Sequence, residues 1–248
     1  MKNKKLNISI KIYIGFIIIF AIVGAINVFL PQGTSLKLQE TTISKPKLAI
    51  INGFIILIFY GGLGLIGIKL SEKLGFANLW DPKSSNKERL LIPIFVGGGI
   101  GFFFILADII LTHYLGTPLP HPPFPTSLIA SISAAIGEEI IFRLFFISSW
   151  VWFLSSILRG KWQNQIFWIV SIFSAITFGF AHLPSVMILL GLNSLREIPS
   201  CLFSGIILLN GILSIFTAYF FRKNGFLTAV EIHFWTDVIW HVIWGLIK

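Results

Sequence analysis

Cysteine and charge are what this sequence has least of. Cys201 is the only cysteine in 248 residues, so no intramolecular disulfide can form and no Cys-rich metal site exists. Charged residues make up 12% of the chain, about half the share usual in soluble domains. Acidic residues are the scarcer sign, 10 against 19 lysines and arginines, and the net charge is +9. That excess does not make a nucleic-acid binder. The basic residues lie in short segments between apolar runs and form no basic patch or motif, which excludes that class. Internal repeats and low-complexity tails are also missing. So is the Lys-Ser/Thr pair that would turn the Gly-rich stretches 60–67 and 97–101 into phosphate cradles. Those glycines are expected to let helices approach closely.

What fills the chain is hydrocarbon. It is 55% hydrophobic with mean hydropathy +0.87, and apolar runs of about 20 residues recur along it. The pattern predicts an all-α, polytopic integral membrane protein whose residues 1–248 form one membrane domain. Seven spans are expected, near 9–30, 48–69, 90–113, 127–158, 166–190, 200–221 and 226–247. An eighth arises if 166–199 folds as two short helices, and Pro184 is where a bend or an end would fall. The first run is longer than a signal-peptide core and is followed by further spans, so it is read as a retained helix. Trp150, Trp152 and Trp162 fall near expected interfaces, as an aromatic belt would. Thr126 or Ser127 is placed to cap the fourth helix, after the proline-rich turn 119–126.

Lysine and arginine set an expected orientation. With the N-terminus cytoplasmic, the inner segments and span ends carry Lys2, Lys4, Lys5, Lys11, Lys69, Lys73, Lys83, Lys87, Arg89, Arg159, Lys161, Arg222 and Lys223. The outer ones carry only Lys37, Lys45, Lys47, Arg196 and Lys248, and Arg143 falls inside a span. The asymmetry follows the positive-inside rule and predicts a multi-pass protein of the cell membrane.

Against this background, the stretch from Ala134 to Phe146 stands out, because it places Glu138, Glu139 and Arg143 within an apolar run. Ionisable groups in hydrocarbon are costly and mark function. Glu138 lies about 17 Å along the fourth span from its outer end. Arg143 follows Glu139 by one turn, so the two can pair on one face, while Glu138 is turned about 100° away. One carboxylate is then held charged and the other is left to exchange protons, the division that general base catalysis needs. A purely structural Glu–Arg pair is the plainer alternative. His182, in the fifth span, is alone in an apolar stretch and can equally be a helix–helix hydrogen-bonding residue. In the last span, His233, Asp237 and His241 are spaced by four and form one stripe, either a site or a packed polar network. Asp108 and His113 are expected near the lipid–water boundary, as is Glu231 at the inner end, with no chemistry assigned.

Taken in order, Glu138-Glu139-x-x-x-Arg143, Phe178-x-x-x-His182 and His233-x-x-x-Asp237, each on its own span, resemble the three motifs of the CPBP family. These are membrane proteases related to type II CAAX prenyl endopeptidases and to bacteriocin-processing or immunity proteins. The resemblance covers about residues 127–245, the expected catalytic core. It implies an intramembrane glutamic endopeptidase with no cofactor, acting on a membrane-associated protein or peptide, lipidated in the CAAX case. Glu138 would activate a water with help from His182, Glu139 and Arg143 would hold the site together, and His233 with Asp237 would stabilise the oxyanion. Prenyl-protease members commonly carry Asn at this last position. An ionised Asp offers only acceptors, so Asp237 must either carry a proton or orient His233. Two other readings stay open. Zn²⁺ held by His182, His233 and a carboxylate could run the same hydrolysis, although the zincin signature HExxH is missing. A transporter or inactive immunity-type scaffold could use the same groups as a proton relay.

Overall fold

The computed structural model describes residues 2–33, 43–81 and 83–248, with side chains from Ile8 onward. Lys2, Lys4, Lys5 and Lys37, used in the orientation count, have side chains outside the described residues.

Seven helical rods run in sequence: α1 (Lys2–Asn27), α2 (Lys45–Lys73), α3 (Lys87–Leu115), α4 (Thr126–Ile157), α5 (Gln163–Leu190), α6 (Ser200–Asn224) and α7, which starts as Phe226–Asp237 and continues through Val238–Trp244 to Gly245–Ile247. No strand is present among the described residues. The first six are long and apolar enough to cross a membrane. In lipid a backbone must satisfy its own polar groups, which helices do. α7 is long enough too, but Glu231, His233, Asp237 and His241 make it less apolar than the rest. The protein is a multi-pass membrane bundle. Its rods match the expected spans to within a few residues, except that α1 begins well before residue 9. α5 is one continuous helix through Pro184, so the two-helix alternative for 166–199 does not occur.

The outward faces carry large apolar side chains such as Ile58, Phe95, Phe102 and Ile169, the surface a bilayer would solvate. Trp150, Trp152 and Trp162 are also exposed. Inward, glycines set the closest approaches. A Cβ on Gly67 would overlap the backbone of Leu144, joining α2 to α4. One on Gly97 would overlap the Ile232 carbonyl, and one on Gly101 would come within 2.8 Å of the Thr236 carbonyl, joining α3 to α7. Small residues let helices in lipid come this near, and Thr236 Oγ1 donates to the Gly97 carbonyl at 3.1 Å across the same seam. One apolar cluster, including Ile140, Leu144, Phe167 and Phe226, packs beneath these contacts. A second, with Phe104, Phe178, Leu213 and Ile232, lies beside it.

One expectation fails locally: neither Thr126 nor Ser127 caps α4. The position before the helix is Pro125, and Thr126 instead donates its hydroxyl to the Pro31 carbonyl at 2.6 Å, tying the proline-rich turn to the segment after α1. Asp108 is 1% exposed, because side chains from α7 and from the loop close over it. His113, by contrast, is exposed beside Tyr114.

Candidate active site

The first motif lies where α4 changes its winding. Thr126–Glu139 is α-helical, and Ile140–Ile147 is wound as a π-helix. The i→i+5 winding is rare and frequently found at functional sites, although Ile56–Tyr60 and Lys87–Leu91 are wound the same way elsewhere in this chain. α7 makes the same change directly after Asp237, at Val238–Trp244. The two helices that carry carboxylates into the site thus both change pitch at the residue after the last acid.

Glu139 and Arg143 form an ion pair, with Nε 3.1 Å from Oε2 and both side chains wholly buried. Arg143 Nε also donates to Thr217 Oγ1 on α6 at 2.7 Å, and the guanidinium lies 4.6 Å from the centre of the Phe178 ring. The other oxygen of Glu139 accepts a hydrogen bond from His233 Nδ1 at 2.9 Å. Glu139 is therefore held at both oxygens, by an ion pair at one and a hydrogen bond at the other, joining α4 to α7 while Arg143 joins α4 to α6.

Glu138 is placed differently. Its side chain is 32% exposed, and its Oε2 lies 3.8 Å from His182 Nε2 and 3.7 Å from His233 Nε2. The other nitrogen of each ring is already used. His182 Nδ1 donates to the Phe178 carbonyl at 2.8 Å, a group that can only accept. Both Nε2 atoms consequently face Glu138 Oε2, across gaps too long for direct hydrogen bonds and open to a small bridging molecule. Asp237 Oδ2 lies 3.6 Å from the same His233 Nε2. Phe178 packs edge-on against His182 and His233, with ring centres 4.8 and 6.0 Å apart, closing the apolar side.

All six expected site residues, Glu138, Glu139, Arg143, His182, His233 and Asp237, are thus brought together. His241 leaves the group. The π-winding from Val238 turns it off the α-helical stripe, and its Nδ1 lies 3.1 Å from Nδ1 of His121. Thr217 was missed by the sequence reading, and its only signal was a hydroxyl in an apolar helix. Among the described residues no three of His, Cys, Asp and Glu are arranged to hold a metal ion.

Comparison with known proteins points to the same part of the chain. Residues 120–239 match the family described as type II CAAX prenyl endopeptidase Rce1-like, a span that contains all three motifs. No curated protein and no solved structure matches the chain. Residues 120–239, which carry the three motifs on α4, α5 and α7, are thus similar to this Rce1-like family of peptidases.

Proposed function

We propose that this protein is a glutamic endopeptidase that hydrolyses a peptide bond of a membrane-associated protein or peptide, with a prenylated CAAX-type chain as the first candidate substrate. The observation that carries this reading is the unequal standing of the two neighbouring carboxylates. Glu139 is held by Arg143 and His233, while Glu138 is partly exposed and faces two imidazole nitrogens.

In the proposed reaction a water held between Glu138 and His182 attacks the scissile carbonyl, and Glu138 takes its proton. The carbonyl oxygen becomes an oxyanion. His233 Nδ1 already donates to Glu139, so Nε2 can donate to the oxyanion only when the ring carries both protons. Asp237, close to that Nε2, steadies the doubly protonated ring in its ionised form. It thus serves as an orienting acceptor where Asn would serve as a second donor. Collapse of the tetrahedral intermediate breaks the C–N bond, and the proton on Glu138 passes to the leaving amine. The site residues and the absence of a cofactor are part of this proposal.

The direct test is cleavage of a prenylated CAAX peptide library by the purified protein in detergent, beside a Glu138→Gln control. Specific cleavage by the native protein and none by the control supports the reading. Equal cleavage by both would sink it. A zinc-dependent form of the same hydrolysis has one observation in its favour, that two imidazole nitrogens face one carboxylate.

A further inference from the structure

A second buried polar group lies beyond the catalytic motifs, at the end of the bundle where α3 and α7 finish. Its centre is Asp108 on α3, whose carboxylate receives five donors. Oδ1 accepts from Lys248 Nζ at 2.7 Å and Thr112 Oγ1 at 3.1 Å. Oδ2 accepts from Trp244 Nε1 at 2.9 Å, His121 Nε2 at 3.1 Å and Trp240 Nε1 at 3.3 Å. Three of the five, Trp240, Trp244 and Lys248, come from α7 and its end. His121 comes from the proline-rich loop and reaches α7 again through its other nitrogen, 3.1 Å from His241 Nδ1. Of these residues only His121 lies within the span matched by the family, so the cluster belongs to this chain's own surroundings of that core.

α7 is also the helix that presents His233 and Asp237 to Glu138. Its seam with α3 is smooth glycine, at Gly97 and Gly101, which allows close contact and offers few side-chain interlocks against sliding or rotation. The Thr236 hydroxyl on the Gly97 carbonyl is one lock on its height and rotation, and Asp108 supplies a second toward the end of the helix. We propose that Asp108 is a positioning residue for the catalytic site: by gathering the two indoles and the ammonium of α7 onto one buried carboxylate, it sets the register in which His233 and Asp237 meet Glu138. A displacement of about 1 Å can cost on the order of 100-fold in rate, so this anchor acts on turnover without touching substrate.

The discriminating variant is Asp108→Asn. It keeps the shape, but whichever way the amide is turned its NH₂ faces at least two of the five donors. Two measurements are made on the purified full chain. The first, which rests on the hydrolytic reading above, is steady-state cleavage of the prenylated peptide. The expected result is a fall in kcat of at least about tenfold per folded molecule, with KM little changed and partial recovery in Asp108→Glu. The second needs no substrate: hydrogen exchange of residues 228–244 should quicken in Asp108→Asn while that of residues 163–180 on α5 stays as in the native protein. If Asp108→Asn fails to fold, Trp244→Phe and Lys248→Met each remove one donor and should show the same pattern at smaller size. A reduced folded yield with unchanged kcat per folded molecule and unchanged exchange in α7 would reduce Asp108 to ordinary packing and overturn the proposal. If the native protein cleaves nothing while α7 exchange responds as expected, the hydrolytic reading falls and the register role stands. Unchanged exchange together with unchanged kcat removes the register role and leaves the hydrolytic reading intact.

Discussion

Arg143 Nε lies 3.1 Å from Glu139 Oε2, and neither side chain meets solvent. A buried pair of this kind gains little over an apolar pair, but breaking it from one side strands a charge, at a cost of about 3–5 kcal/mol. Arg143→Leu should therefore lower folded yield and thermal stability together with activity. Fluorescence-detected size exclusion against temperature would measure it. A Leu variant as stable as the native protein would show that Glu139 does not depend on Arg143.

Glu138 should behave in the opposite way. Its side chain is partly exposed and, among the described residues, has no ion pair with a lysine or arginine, so Glu138→Gln should insert and fold normally. Gln keeps the shape and cannot take a proton from water, and loss of a general base costs about 10²–10⁴-fold. A purified, monodisperse Gln variant retaining a tenth of native turnover would contradict the assignment of Glu138 as the base.

These contrasting roles show how far the sequence could be read. The rods were legible because a bilayer demands long apolar runs, and Glu139–Arg143 because four residues make one helical turn. Contacts between helices were not. Nothing local announces that His233, 94 residues on, donates to Glu139, or that Trp244, 136 residues on, donates to Asp108. That α7 covers Asp108 was not readable from its position near a span end. The stripe His233, Asp237, His241 was legible only as far as the winding stays α-helical, and a π-turn leaves no reliable mark in sequence.

The glycine seam gives a test of packing. Gly97→Ala would place a methyl into the Ile232 backbone, forcing α3 from α7 at a cost of about 1–3 kcal/mol, and should reduce activity by moving His233. Gly99→Ala meets nothing within 4 Å and should change stability by at most about 1 kcal/mol. Melting temperatures and turnover of both variants decide it. Equal tolerance at the two positions would mean that α7 is not seated on Gly97.

Metal dependence is decided by removal. On the glutamic reading, prolonged treatment with EDTA or 1,10-phenanthroline leaves turnover unchanged, because Glu138 and His182 polarise the water themselves. Loss of activity that returns when Zn²⁺ is added back would move His182, His233 and a carboxylate into the role of ligands. Turnover before and after chelation, beside a metal analysis of the purified protein, separates the two.

The last prediction concerns the side from which the site is reached. A carboxylate acting as a hydrolytic base needs water, and a dry bundle would deny it both substrate and proton exchange. Glu138 is exposed enough to be reached, and Ala134 lies one turn before it on the same face of α4. On the proposed orientation, which rests on the lysine and arginine asymmetry and has the N-terminus inside, Glu138, about 17 Å from the outer end of its span, would be nearer the inner face of a core about 30 Å thick. A cytoplasmic opening would admit both water and a lipid-anchored chain arriving from that leaflet. Cys201 is exposed and must first be replaced by Ser. In that background, Ala134→Cys should react with a membrane-impermeant thiol reagent in inside-out vesicles and stay unreacted in right-side-out ones. Labelling from the outside alone would invert the orientation, remove a cytoplasmic prenylated chain as substrate, and favour a protease acting on exported peptides.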